Sequence, residues 1–179
     1  MDQAWAILIY TVPTAPSRKR AAVWRAVKRL GAIYLRDGVC ALPARDDATA
    51  ALRAVAASVE GFGGEATLVE AARLDPCRSA AIVARSLRDR AAEYTDIVGE
   101  AAGFLEHIRR ETAHRAFTSA EVEELAADLG KLRRWVGQVR ARDYFGGTET
   151  ERVDALLGRC DEALGVFLEG ASHGESATP

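Results

Sequence analysis

"WAILIYTVPTAPSRKRAAVWRAVKRLGAIYLRDGVCALP" occupies residues 5–43 and carries the signals of three strands and a helix. Trp5 to Val12 form an apolar run that Pro13 stops, which reads as a buried strand. A loop follows, with Ser17 placed to cap a helix over residues 18–30. Val23, Val27 and Leu30 recur on one face of that helix, and Gly31 supplies the left-handed residue that closes it. Asp37-Gly38 then separates "AIYLR" from "VCAL", a strong hairpin signal, and Pro43 ends the second of these strands.

Working outward, "DDATAALRAVAASVEGF" (46–62) opens with acidic residues and keeps Leu52, Val55 and Val59 on one face. Gly63-Gly64 breaks the chain, and "EATLVEAAR" (65–73) reads as a last strand. The order βαββαβ over residues 1–75 predicts an α+β chain that opens with a ferredoxin-like domain, its two helices on one face of an antiparallel sheet.

Beyond Pro76 the periodicity turns purely helical. Leu87, Ala91, Tyr94, Val98, Ala101, Leu105, Ile108 and Thr112 alternate by four and three, the spacing of a packed seam. Capping boxes at Thr118–Glu121 and Thr148–Glu151 open two further helices. The first of these keeps Val122, Leu125, Leu129, Leu132, Val136 and Val139 at helical spacing, and the second Val153, Leu156, Cys160, Leu164 and Phe167. The expectation is a three-helix antiparallel bundle over 76–170 and a disordered tail over 171–179.

The composition, 49% hydrophobic and 28% charged, is that of a globular protein, and no apolar run reaches membrane-span length. The opening residues carry an acid where a leader would be basic, so a cytoplasmic protein without a membrane partner is expected. Three widely spaced cysteines without a C-x-x-C pair argue against a disulfide framework or a zinc ribbon. No nucleophile elbow, phosphate-binding glycine loop, H-x-E with C-x-x-C or metzincin helix is present, so neither an enzyme nor a cofactor is expected. The net charge of −2 hides an asymmetry. Residues 1–75 hold ten Lys and Arg, seven of them between Arg18 and Arg36, so the positive charge is concentrated where an anion would be met.

Three clusters are candidates for chemistry. Arg18, Arg25 and Arg29 share one face of the first helix, with Lys28 beside them and Lys19 and Arg20 at the helix entry. Such a stripe can neutralise phosphates or hold a tetrahedral oxyanion, or can be a solvated basic face. Trp24 adjoins Val23, Val27 and Leu30 and is read as core rather than as a stacking platform. Lys131, Arg133, Arg134 and Arg142 form a secondary basic cluster that suits the C-terminal end of a helix. His107, Glu111 and His114 fall on one helical face and are a weak metal candidate against the simpler reading of a solvated flank.

The V-P, P-S-R, V-W-R, K-R-L-G-A and L-P motifs of residues 5–43, in that order, resemble the opening of ChrB-type chromate-resistance proteins. "GGEATLVEA" and "FTSAEVEELAADLGKLRRWVGQVRARDYFG" are similar to later segments of the same family. The resemblance implies a bacterial regulator or accessory protein of chromate resistance. It also implies that Arg18, Lys19, Arg20, Arg25, Lys28 and Arg29 are the residues contacting DNA, or chromate or another oxyanion. Full ChrB proteins continue into a C-terminal domain, so a stand-alone N-terminal-type protein is expected, and nothing belonging to that domain is carried over. The seams suit a homodimer or a helical partner protein. A protein-interaction module without DNA contact and a small metal-dependent enzyme stand as alternatives.

Overall fold

A computed structural model describes residues 3–115, 117–147 and 149–175, the last three without side chains. The chain is α+β, with a four-stranded antiparallel sheet and five helices. In order these are β1 (Ala4–Thr11), α1 (Ser17–Arg29), β2 (Ile33–Arg36), β3 (Val39–Pro43), α2 (Asp46–Gly61), β4 (Glu65–Arg73), α3 (Pro76–His114), α4 (Ser119–Arg140) and α5 (Glu149–Glu175). The strands lie in the order β2-β3-β1-β4.

The chain forms two compact units, Met1–Arg88 with Ala141–Phe145, and Asp89–Arg140 with Gly146–Pro179. The first of these units includes the first turns of α3, where Ile82 is buried against Trp5, Ile33 and Ala41.

Side chains alternate across a strand, and both faces of this sheet are covered. Ala6 and Leu8 of β1 and Cys40 and Leu42 of β3 meet Val23 and Val27 of α1 and Leu52, Val55 and Val59 of α2. Trp5 and Ile7 point the other way, toward Ile82, Val83 and Phe145. Trp5 is fully buried, and its Nε1–H donates to Ser79 Oγ at 3.0 Å. Burial on both sides explains the unbroken apolar reading of β1, although Ile9 near its end is exposed. Each fully buried Leu or Val here stabilises by about 1.5–3 kcal/mol over its exposed state.

The start of α1 corrects one expectation. Ser17 is the first helical residue, Pro16 precedes it in extended conformation, and no side chain caps the end. The Lys19 N–H instead donates to the Pro16 carbonyl at 3.1 Å. The hairpin forms as expected, with Gly38 at φ 69° between β2 and β3. A β-bulge sets Glu70 and Ala71 against Ala6, with Ala71 at φ 53°.

In the second unit, Tyr94, Ile97, Ala101, Phe104 and Ile108 of α3 share one core with buried residues of α4 and α5. Ile97 and Phe104 take the places expected for Val98 and Leu105, which are only partly buried, and Leu87 is exposed. Both rows keep the same spacing, and the larger side chains fill the interior. Leu125, Leu129, Leu132, Val136 and Val139 of α4 are buried as their spacing requires. The Glu121 N–H donates to Thr118 Oγ1 at 3.2 Å, forming one half of the expected capping box. The box expected at Thr148 lies outside the described residues. Helix α5 runs to Glu175, so Ala171–Glu175 is helical rather than part of a disordered tail, and residues 176–179 lie outside the described residues.

Candidate nucleic-acid and oxyanion interface

Burial of Val23 and Val27 fixes which way α1 faces. At about 100° per residue, Trp24, Lys28, Arg25, Arg18 and Arg29 then follow one another around its outer side. Trp24 is 53% exposed, which corrects its assignment to the core. It sits about one residue step away from Val23 on the helical wheel and so flanks the buried face rather than joining it. Lys28 Nζ lies 5.8 Å from the Trp24 ring centroid, within cation–π range.

Arg18, Arg20, Arg25 and Arg29 are exposed, and among the described residues none has an ion-pair partner. Lys19 differs. Its Nζ donates to the Phe62 carbonyl at 2.9 Å and stands 5.9 Å from the Phe62 ring centroid. Phe62 ends α2, where carbonyls carry partial negative charge, so Lys19 ties the start of α1 to the end of α2. One of the three cations at the helix entry therefore has a structural task.

Trp24 lines two open grooves. One, of about 540 Å³, is also lined by Tyr10, Arg20, Tyr34 and Asp37. The other, of about 460 Å³, is lined by Ala22, Arg25, Lys28 and Arg29 as well. The Tyr10 and Tyr34 hydroxyls lie 2.8 Å apart. Burial is the main cause that pushes the pKa of both above the ordinary tyrosine value, so at neutral pH they offer hydrogen bonds without charge. The face thus combines unpaired guanidinium groups with an exposed indole, a set that can neutralise phosphates, stack on a base or grip an oxyanion.

The secondary basic cluster is divided. Lys131 pairs with Asp128 at 2.8 Å, Arg133 pairs with Asp161, and Arg134 is exposed on α4. Arg142 belongs to the first unit, where a Cβ added at Gly31 would stand 2.7 Å from its own Cβ. The weak metal candidate is also rearranged. His107 Nε2 lies 3.7 Å from Glu111 Oε1 and 3.1 Å from Glu121 Oε1, while His114 is exposed and outside the group.

The family model described as "Protein ChrB, N-terminal" matches residues 20–173. The chain belongs to the ChrB N-terminal family. Protein ChrB of Cupriavidus metallidurans is 26% identical over 174 residues, which cover 97% of this chain and 50% of that protein. The chain thus spans about half the length of this curated relative. No solved structure matches it. Within this ChrB N-terminal chain the matched region includes Arg20, Trp24, Arg25, Lys28 and Arg29, and it begins after Arg18 and Lys19.

Two site residues are not evident from the sequence of this ChrB N-terminal chain. Trp24 adjoins apolar neighbours in the sequence, but its angle from Val23 on the helical wheel sets it at the flank of the buried face. The sequence marks Glu121 only as a capping residue. Its carboxylate approaches His107 because the chain turns back between α3 and α4, and the capping box marked where that turn ends.

Proposed function

We propose that the chain is a DNA-associated regulator or accessory protein of bacterial chromate resistance, acting in the cytoplasm, with the outer face of α1 as its phosphate-contacting surface. The observation that carries this reading is the set of four exposed guanidinium groups without internal partners beside Trp24. Arg18, Arg25 and Arg29 would meet the DNA backbone, and Trp24 with Lys28 would contact an exposed base or the groove edge. Membership of the ChrB N-terminal family supports the link to chromate resistance. The sheet order β2-β3-β1-β4 supports a ferredoxin-like first unit, and the shared core of α3, α4 and α5 supports a helical bundle that offers a dimer or partner surface. This reading contains no catalytic step.

The test is fluorescence anisotropy of labelled duplex from the protein's own upstream region against a scrambled duplex, across salt and with and without chromate. Selective binding with a steep salt dependence is expected, and equal weak binding to both duplexes rejects the proposal. The groove beside Arg20, Tyr10 and Tyr34 favours a second reading, in which chromate itself is bound there. Equilibrium dialysis of chromate with the wild type and an Arg20→Ala variant separates the two.

A further inference from the structure

The geometry points to a divalent-cation site of the zinc class formed by His107, Glu111 and Glu121, joining the last turns of α3 to the first turn of α4. His107 and Glu111 stand one helical turn apart on α3, so their side chains meet on one face. Glu121 comes from the next helix. Its backbone N–H donates to Thr118 Oγ1, and its carboxylate lies toward His107. One donor atom from each of the three residues lies within 4.8 Å of the others.

The spacing is compatible with a shared ion. Zinc binds imidazole nitrogen and carboxylate oxygen at about 2.0–2.2 Å, so tetrahedral ligand atoms stand about 3.4 Å apart. The separations of 3.1 and 3.7 Å from His107 Nε2 straddle that value. Glu121 Oε1 is buried and receives no hydrogen bond, although His107 Nε2 is near. A buried carboxylate oxygen without a donor is costly unless a cation satisfies it. Among the described residues, neither Glu111 nor Glu121 pairs with a Lys or Arg, so two half-buried carboxylates share one imidazole as their counter-group. One imidazole with two carboxylates is a borderline donor set suited to Zn²⁺ and its first-row neighbours. His107 also lines an open groove of about 450 Å³, which gives an ion access from solvent. Three protein ligands leave a further position for water or an external anion.

The site lies in the second unit and makes no use of α1, so it stands or falls independently of DNA binding. The experiment is isothermal titration of the metal-stripped full chain with Zn²⁺, with Co²⁺ as a spectroscopic substitute. One equivalent is expected to bind, with a visible Co²⁺ spectrum and a melting temperature that rises with metal concentration. His107→Gln and Glu121→Gln should each weaken binding by at least about tenfold, while His114→Gln leaves it unchanged. Circular dichroism checks that the variants fold. X-ray absorption of the Zn²⁺-loaded wild type needs no variant, and one nitrogen with oxygen neighbours is expected. No binding up to millimolar Zn²⁺, sulfur in the coordination sphere, or affinity that survives both substitutions would overturn the proposal.

Discussion

The hydroxyls of Tyr10 on β1 and Tyr34 on β2 meet at 2.8 Å across β3, the strand that lies between theirs in the sheet. Both groups hold their protons more tightly than free tyrosine, chiefly through burial, against an ordinary value of 10.0. The folded state therefore binds these protons better than the unfolded chain. The resulting stability is complete below the unfolded value and is lost as pH climbs through the raised folded values. An alkaline absorbance titration should show tyrosinate forming late, together with unfolding. Tyr34→Phe should cost about 1 kcal/mol at neutral pH. Ordinary titration of all the tyrosines in the folded protein would refute this.

The α1 cations are not equivalent. Arg25→Ala with Arg29→Ala should weaken DNA binding and flatten the slope of log K against log salt by about 1.8, the share of two phosphate contacts. Lys19→Ala should lower the melting temperature and leave that slope alone, because Lys19 is engaged with the Phe62 carbonyl. Salt-dependent anisotropy paired with thermal denaturation reads both effects. An unchanged slope in the double variant counts against the α1 surface.

The three cysteines should separate cleanly by reactivity. Burial pushes the Cys40 thiol up to about 12, and burial also raises Cys160, whereas Cys77 is exposed. The thiolate is the reactive form. At pH 8 a chromogenic disulfide reagent should titrate one thiol in the native protein and three after denaturation. Rapid native labelling of Cys40 would show that the sheet is more open than described.

Gly31 closes α1 at φ 71°, and a side chain there would meet both the Cβ and the carbonyl oxygen of Arg142. Gly31→Ala combines backbone strain with this clash and should cost more than about 1 kcal/mol. Chemical denaturation measures it. A neutral result would mean that the Arg142 segment yields without penalty.

Local signals carried most of the first unit. Gly31, Asp37-Gly38 and Gly63-Gly64 each mark a chain reversal through backbone chemistry that needs no distant partner, and the strands between them follow. What the sequence left hidden depends on residues far apart in the chain. The cover over Trp5 and Ile33 comes from Ile82 and Phe145. Ala71 adopts a left-handed conformation at a bulge that no glycine announces. The α3 row that faces inward is chosen by the size of Ile97 and Phe104, since the neighbouring row has the same period. At the candidate sites, the basic residues were visible as a cluster, but the exposure of Trp24 and the approach of Glu121 to His107 were set by packing.

The Trp5 and Phe145 ring centroids lie 6.0 Å apart, although one residue opens the chain and the other is made after α4. On the ribosome, the sheet can therefore assemble long before its second face is closed. During that interval Trp5, Ile33 and Ala41 have only the start of α3 to shelter them, and the nascent chain presents an apolar surface to chaperones. A released fragment ending at Arg88 should bind a hydrophobic dye that the full chain does not. Synthesis of the whole of α4 is thus a condition for finishing the domain that precedes it.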